Sequence, residues 1–139
     1  LYELKDAGLV AASAAAQVGG VNKIIDLGTG IFKGELIVDV SACEVASDDE
    51  RYCIGLQISD SATFASDTYE VASLILGASG TAAGDVISGD TDMTTGRWVV
   101  PFHNMIADGA TKRYARLYTT VSGTIATGIN YKAYVGVKY

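Results

Sequence analysis

Several groups of side chains in this sequence have the types that carry chemistry. Asp85, Asp90 and Asp92 crowd into Gly84-Asp85-Val86-Ile87-Ser88-Gly89-Asp90-Thr91-Asp92, and oxygen-rich loops of this kind suit calcium. The spacing departs from an EF-hand, because Thr94 stands where a third Asp or Asn belongs and no Glu closes the loop. A solvated acidic loop is therefore expected there, and Asp48-Asp49-Glu50 reads as an exposed hairpin tip. His103, the one histidine, precedes a loop in Phe102-His103-Asn104-Met105 and has no catalytic neighbour in sequence, so it is expected to be structural. Cys43 and Cys53 lack metal-ligand spacing. If Leu36 to Cys43 and Tyr52 to Ser59 paired as a hairpin about Asp48, the two sulfurs would face each other on its outer side, within reach of a disulfide. A reducing cytoplasm would instead keep both as thiols.

The segment Ile24-Ile25-Asp26-Leu27-Gly28-Thr29-Gly30 is an apolar run ending in an acid and a Gly-rich turn. It resembles the first motif of S-adenosylmethionine-dependent methyltransferases, but Phe32 stands where a third Gly would be expected. Such glycines should also open a helix, whereas Lys33-Gly34-Glu35-Leu36-Ile37-Val38-Asp39-Val40 alternates like a strand. A strand followed by a turn is the expectation. There is no G-x-S-x-G elbow, H-E-x-x-H pair or P-loop. Paired carboxylates meet in space rather than in sequence, and nothing singles out a pair. No catalytic residue, cofactor or metal is assigned, and the expectation is a protein that is not an enzyme.

The elements that would position these groups are strands. Tyr52, Ile54, Leu56 and Ile58 alternate with Arg51, Cys53, Gly55, Gln57 and Ser59, the period of a strand with one buried face. Leu36, Val38 and Val40 repeat the pattern, as do Trp98, Val100 and Phe102, and Tyr131, Ala133, Val135, Val137 and Tyr139. Pro101 lacks a ladder donor and places its strand at an edge or its end. Shorter runs at Lys23 to Leu27, Tyr69 to Leu76, Asp85 to Ser88 and Thr111 to Val121 bring the count to about eight strands, separated by turn-rich segments. This predicts an all-β fold, a two-sheet sandwich of jelly-roll type over residues 22–139, preceded by an N-terminal arm over residues 1–21.

The composition narrows the partners. Ten Lys plus Arg against 16 Asp plus Glu give a formal net charge of -6, a poor match to nucleic acid, which is held largely through phosphate contacts to cations. No run of apolar residues is long enough to span a membrane as a helix. The opening segment lacks the basic start and apolar centre of a signal peptide. The alanines at 11, 12 and 14–16 favour a short helix by propensity, ended by Gly19-Gly20. That arm either lies on its own domain or reaches a neighbouring subunit with Tyr2, Leu4, Leu9 and Val10 as anchors. In Arg113-Tyr114-Ala115-Arg116-Leu117-Tyr118-Thr119-Thr120-Val121 both faces carry large groups. With Ala115, Leu117, Thr119 and Val121 inward, Tyr114, Arg116 and Tyr118 stand together outside, and Arg and Tyr are enriched among interface anchors. The alternative has the tyrosines in the core and Arg116 paired beneath a loop.

Three segments together carry a resemblance that spans nearly the whole chain: Asn22 to Gly28, Leu56-Gln57-Ile58-Ser59-Asp60-Ser61-Ala62-Thr63-Phe64, and Arg113 to Thr124. In order and spacing they resemble the capsid cement, or decoration, proteins of tailed bacteriophages. The resemblance implies a jelly-roll protein, commonly a homotrimer, made in the host bacterial cytoplasm. It would sit on the outer surface of an icosahedral head and clamp neighbouring major capsid subunits. No catalytic residue follows from it. Two rivals remain: a carbohydrate-binding or host-attachment module using Trp98 and the tyrosines, and a small enzyme.

Overall fold

The computed structural model describes residues 1–78 and 94–138. Twelve strands and no helix are found among them. The first six are short: β1 (Tyr2–Lys5), β2 (Leu9–Val10), β3 (Ala14–Ala15), β4 (Gln17–Val18), β5 (Val21–Asn22) and β6 (Ile24–Asp26). The last six are long: β7 (Lys33–Cys43), β8 (Arg51–Ser59), β9 (Tyr69–Gly77), β10 (Gly96–His103), β11 (Tyr114–Ser122) and β12 (Ile129–Val137). The expected strand at Asp85 to Ser88, the acidic loop with Asp85, Asp90 and Asp92, and Tyr139 lie outside the described residues.

The strands form two antiparallel sheets packed as a sandwich. In the first, β1 and β2 lie one after the other along β12, which pairs with β7, and β7 with β10. In the second, β3 and β6 lie along β11, which pairs with β8, and β8 with β9. β4 and β5 make a separate small hairpin. Among the long strands the chain passes between the sheets from β7 to β8, from β9 to β10, from β10 to β11 and from β11 to β12, and only β8 and β9 are consecutive within one sheet. This order is compatible with the jelly-roll expectation. Pro101 sits in β10, an edge strand bonded only to β7 among the described strands, where its missing donor costs no ladder bond.

Period two holds along the long strands. Leu36, Val38 and Val40 from β7, Tyr52, Ile54, Leu56 and Ile58 from β8, and Tyr131, Ala133 and Val135 from β12 share one core cluster. Each fully buried Leu, Ile or Val contributes about 2 kcal/mol by burial. The same cluster holds Leu4 and Ala16, so no structural break follows residue 21.

The first 22 residues correct the expectation of a helix or frayed arm. They cross from the rim of the first sheet to the rim of the second, adding β1 and β2 to β12 and β3 to β11. An alanine run this short is below the length at which a helix holds alone, while the edges of β11 and β12 offer unpaired backbone groups that strand pairing satisfies. A cleft of about 290 Å³ lies along the crossing, walled by residues of this segment, the five alanines among them, with Lys5 and Thr119.

The proposed hairpin about Asp48 is also corrected. β7 and β8 belong to different sheets, so the residues between them form a crossover. Cys53 is on β8 between Ile75 and Thr120, whereas Cys43 is on β7 opposite Ile129, and both are free thiols. Burial and the nearby Glu50 and Glu44 push the Cys43 thiol up to about 11.

Candidate functional site

Most charged groups that could do chemistry are engaged in holding loops to the sandwich. The Glu44 carboxylate accepts backbone N–H bonds from Ala126, Thr127 and Gly128 at 2.7–3.1 Å, and the Gly128 and Thr127 bonds hold it below the usual carboxylate range. Asp49 accepts from the backbone N–H and the hydroxyl of Thr124, both at 2.8 Å. Glu50, 1% exposed, accepts from the N–H groups of Ser47 and Asp49. The expected exposed acidic tip is thus a latch between the 44–50 crossover and the 122–128 loop. Gly123 and Gly128 adopt positive φ there, and a Cβ on either would meet backbone at 2.2 or 2.1 Å.

The Gly-rich turn after β6 serves the same purpose. Asp26 caps the Gly28 N–H at 2.9 Å and takes two bonds from the Arg113 guanidinium, which lowers its pKa. The turn leads into β7, so the segment is strand, turn and strand. His103 is exposed, and its Nδ1 accepts the Met105 N–H at 3.3 Å. Its neighbour Asn104, fully buried, joins three segments: Oδ1 accepts from Phe32, and Nδ2 donates to the carbonyls of Gly30 and Lys112. Among the described residues no group of three His, Cys, Asp or Glu could hold a metal ion.

The two outer sheet faces differ. On the second sheet, Ala115, Leu117 and Thr119 are buried, which leaves Tyr114, Arg116 and Tyr118 on the outside, as parity predicts. They are only half-exposed, because the chain returns over them. Residues 60–68 fold back so that the Phe64 ring, 8% exposed, lies 4.5 Å from the Arg116 guanidinium. Phe64 takes φ 55 to do so, a left-handed conformation costly for a bulky residue and held here by burial of its ring. Arg116 also donates to Gln57 at 2.8 Å and lies 5.5 Å from the Tyr118 ring. The trio thus points outward rather than into the core, and Arg116 is paired beneath a loop. At the end of this face Lys112 bridges Asp60 at 2.9 Å, lowering the Asp60 pKa.

On the first sheet the outer face carries an apolar row that the described residues leave partly exposed. Val99 on β10 faces Ile37 on β7, which faces Tyr134 on β12, so three large side chains form one row across the sheet. Val99 is 50% exposed. The row on one side is Arg97, Asp39 and Lys132; the row on the other is Pro101, Glu35 and Gly136. Arg97 grips Asp39 with two bonds of 2.6 and 2.8 Å, and Lys138 bridges Glu35 at 3.2 Å. Two shallow depressions flank the apolar row: one of about 260 Å³ beside Asp39 and Lys132, and one of about 340 Å³ beside Lys33, Pro101 and His103.

The candidate anchors of the arm divide. Leu4 is fully buried in the chain's own core and is not available to a neighbour. Tyr2 and Leu9 are exposed, and Val10 is half-buried against the core. Trp98 points inward as parity predicts and packs on the core, away from any surface platform for a sugar ring. The row of Val99, Ile37 and Tyr134 was not singled out from the sequence. Its members alternate with the inward residues of their strands, but only the order β10, β7, β12 makes them neighbours.

No protein-family model matches the chain, and no curated protein matches it. The function is therefore argued from the geometry and from the sequence resemblance.

Proposed function

We propose that this chain is a structural virion protein. In this reading it is a cement protein on the outer surface of an icosahedral phage head, assembled as a homotrimer, where it clamps neighbouring major capsid subunits and stabilises the expanded shell. The observation that carries the reading is the contrast between engaged and partly exposed surface. Glu44, Asp49, Asp26, Asp60 and Asn104 are committed to internal bonds, whereas a broad sheet face presents an apolar row beside the charged row of Arg97, Asp39 and Lys132. A stiff sandwich with an open face suits adhesion. The resemblance in the segments at Asn22, Leu56 and Arg113 supports the same assignment, and the acidic composition suits a position away from packaged DNA.

The mechanism is linkage. A protein that binds the assembled shell and not its separated subunits adds its binding free energy to shell stability. Many copies on one lattice make individually weak contacts effective. The test mixes purified protein with expanded heads that lack it, then measures co-sedimentation and the temperature of heat-induced rupture. Binding with a higher rupture temperature is expected, and equal rupture temperatures at saturating protein would contradict the assignment.

A further inference from the structure

We infer that the outer face of the first sheet is the surface that docks, and that it fits an apolar patch with an acidic rim on a different protein. This rests on the cement reading, which makes that protein the capsid subunit, and adds to it which face is turned toward the shell and what chemistry meets it.

The charge distribution carries the argument. The chain has 16 acids against 10 cations. Among the described residues, Lys33, Arg97, Lys132 and Lys138 stand on this face against Glu3, Glu35 and Asp39, so the balance reverses here. Arg97 and Lys138 are bridged, while Lys33 and Lys132 have no carboxylate within bridging distance among the described residues. The uncompensated charge is therefore positive, and it brackets the apolar row, Lys132 on one side and Lys33 on the other. An apolar centre with a charged rim is how interfaces are built, and a rim of one sign selects a partner of the other. A second copy, with net charge -6 and this same cation-bearing face, would meet like charge against like in a face-to-face pair.

The mode of contact follows from β10. Its outer edge, free among the described strands, carries Pro101 in mid-strand, which cannot donate to an added strand, so the partner meets the side chains of the face rather than extending the sheet. The row is pre-formed, since Ile37 and Tyr134 are held in register by the β7 and β12 ladder and the Arg97 to Asp39 clamp fixes the adjoining row.

The experiment measures co-sedimentation with expanded heads for the wild type, Val99→Asp, the double variant Lys33→Glu with Lys132→Glu, and Val21→Asp, a control at a still more exposed apolar residue of β5. Val99→Asp is expected to bind at least about tenfold more weakly, as for loss of a central anchor. The double variant should bind more weakly and lose most of the salt dependence of wild-type binding, while Val21→Asp should bind like the wild type. Should Val99→Asp fail to fold, the double variant, changed only at exposed side chains, decides the matter. Wild-type binding undiminished in both face variants overturns the assignment of the face and leaves the cement reading standing. Failure of the wild type to bind heads overturns both. A changed oligomeric state in Val99→Asp with head binding intact makes the face a self-contact and also overturns the inference.

Discussion

The outer faces of the two sheets start from similar sequence patterns and end differently. Strand β11 and strands β7, β10 and β12 each present large side chains at alternate outward positions. On the second sheet the chain itself covers them, with Phe64 over Arg116, Gln57 bonded to Arg116 and the Glu70 side chain lying over Gly55. On the first sheet Val99 is 50% exposed, while Ile37 and Tyr134 stand half-exposed beside it and Leu1 comes close to Ile37 at the Gly136 end of the row. The difference teaches that an Arg and Tyr cluster is a weaker sign of a docking site than a partly exposed row of apolar side chains. Guanidinium and aromatic groups find partners within their own chain, whereas an apolar row gains only when another surface removes it from water.

Substitutions sharpen the contrast. Phe64→Ala should uncover the second sheet's face and cost about 3 kcal/mol, as for truncation of a buried aromatic, which thermal unfolding would register as a clear fall in Tm. An unchanged Tm would mean that the cover is not structural. Arg116→Ala should cost about 1–2 kcal/mol through the lost bond to Gln57 and the ring contacts, with little effect on head binding if its face is closed. Val99→Ser should change stability by no more than about 0.5 kcal/mol, as usual for surface positions, yet weaken binding to heads. Equal losses of binding from Arg116→Ala and Val99→Ser would erase the distinction between the faces.

Acid should act on both faces and on the latch. The carboxyls of Asp26, Asp39, Glu44 and Asp60 have folded pKa values below their ordinary ones. Each therefore contributes stability that is fully present above the unfolded value, about pH 4, and is lost as pH falls through the folded value. Unfolding midpoints should be flat above about pH 5 and decline below it. Replacing Glu44 by Gln should shrink the decline, since its backbone bonds to Ala126, Thr127 and Gly128 favour the ionised form. An acid limb of the same size in wild type and Glu44→Gln would show that the latch is not electrostatic.

Much of this architecture was legible in the alternation of Leu36 to Val40, Tyr52 to Ile58 and Ala115 to Thr119, because a half-buried sheet forces period two. The alanine segment misled because intrinsic propensity is a weak preference that open sheet edges override. The return of residues 60–68 over Arg116 had no signal, since Ser59-Asp60-Ser61-Ala62-Thr63-Phe64 has turn composition and one aromatic. Asn104 was equally silent, as its partners Gly30, Phe32 and Lys112 are close only after folding. The proposed docking face lay half in view. Parity placed Ile37, Val99 and Tyr134 outside, but β10, β7 and β12 are not consecutive, and their adjacency is a property of the sandwich.

The most direct measurement is lysine acetylation of the protein free and bound to expanded heads, read residue by residue. Lys33 and Lys132 should react readily in the free protein and be shielded on the head, while Lys112, bridged to Asp60 with its side chain 10% exposed, should react slowly in both. Lys33 and Lys132 reacting equally fast free and bound would contradict the account.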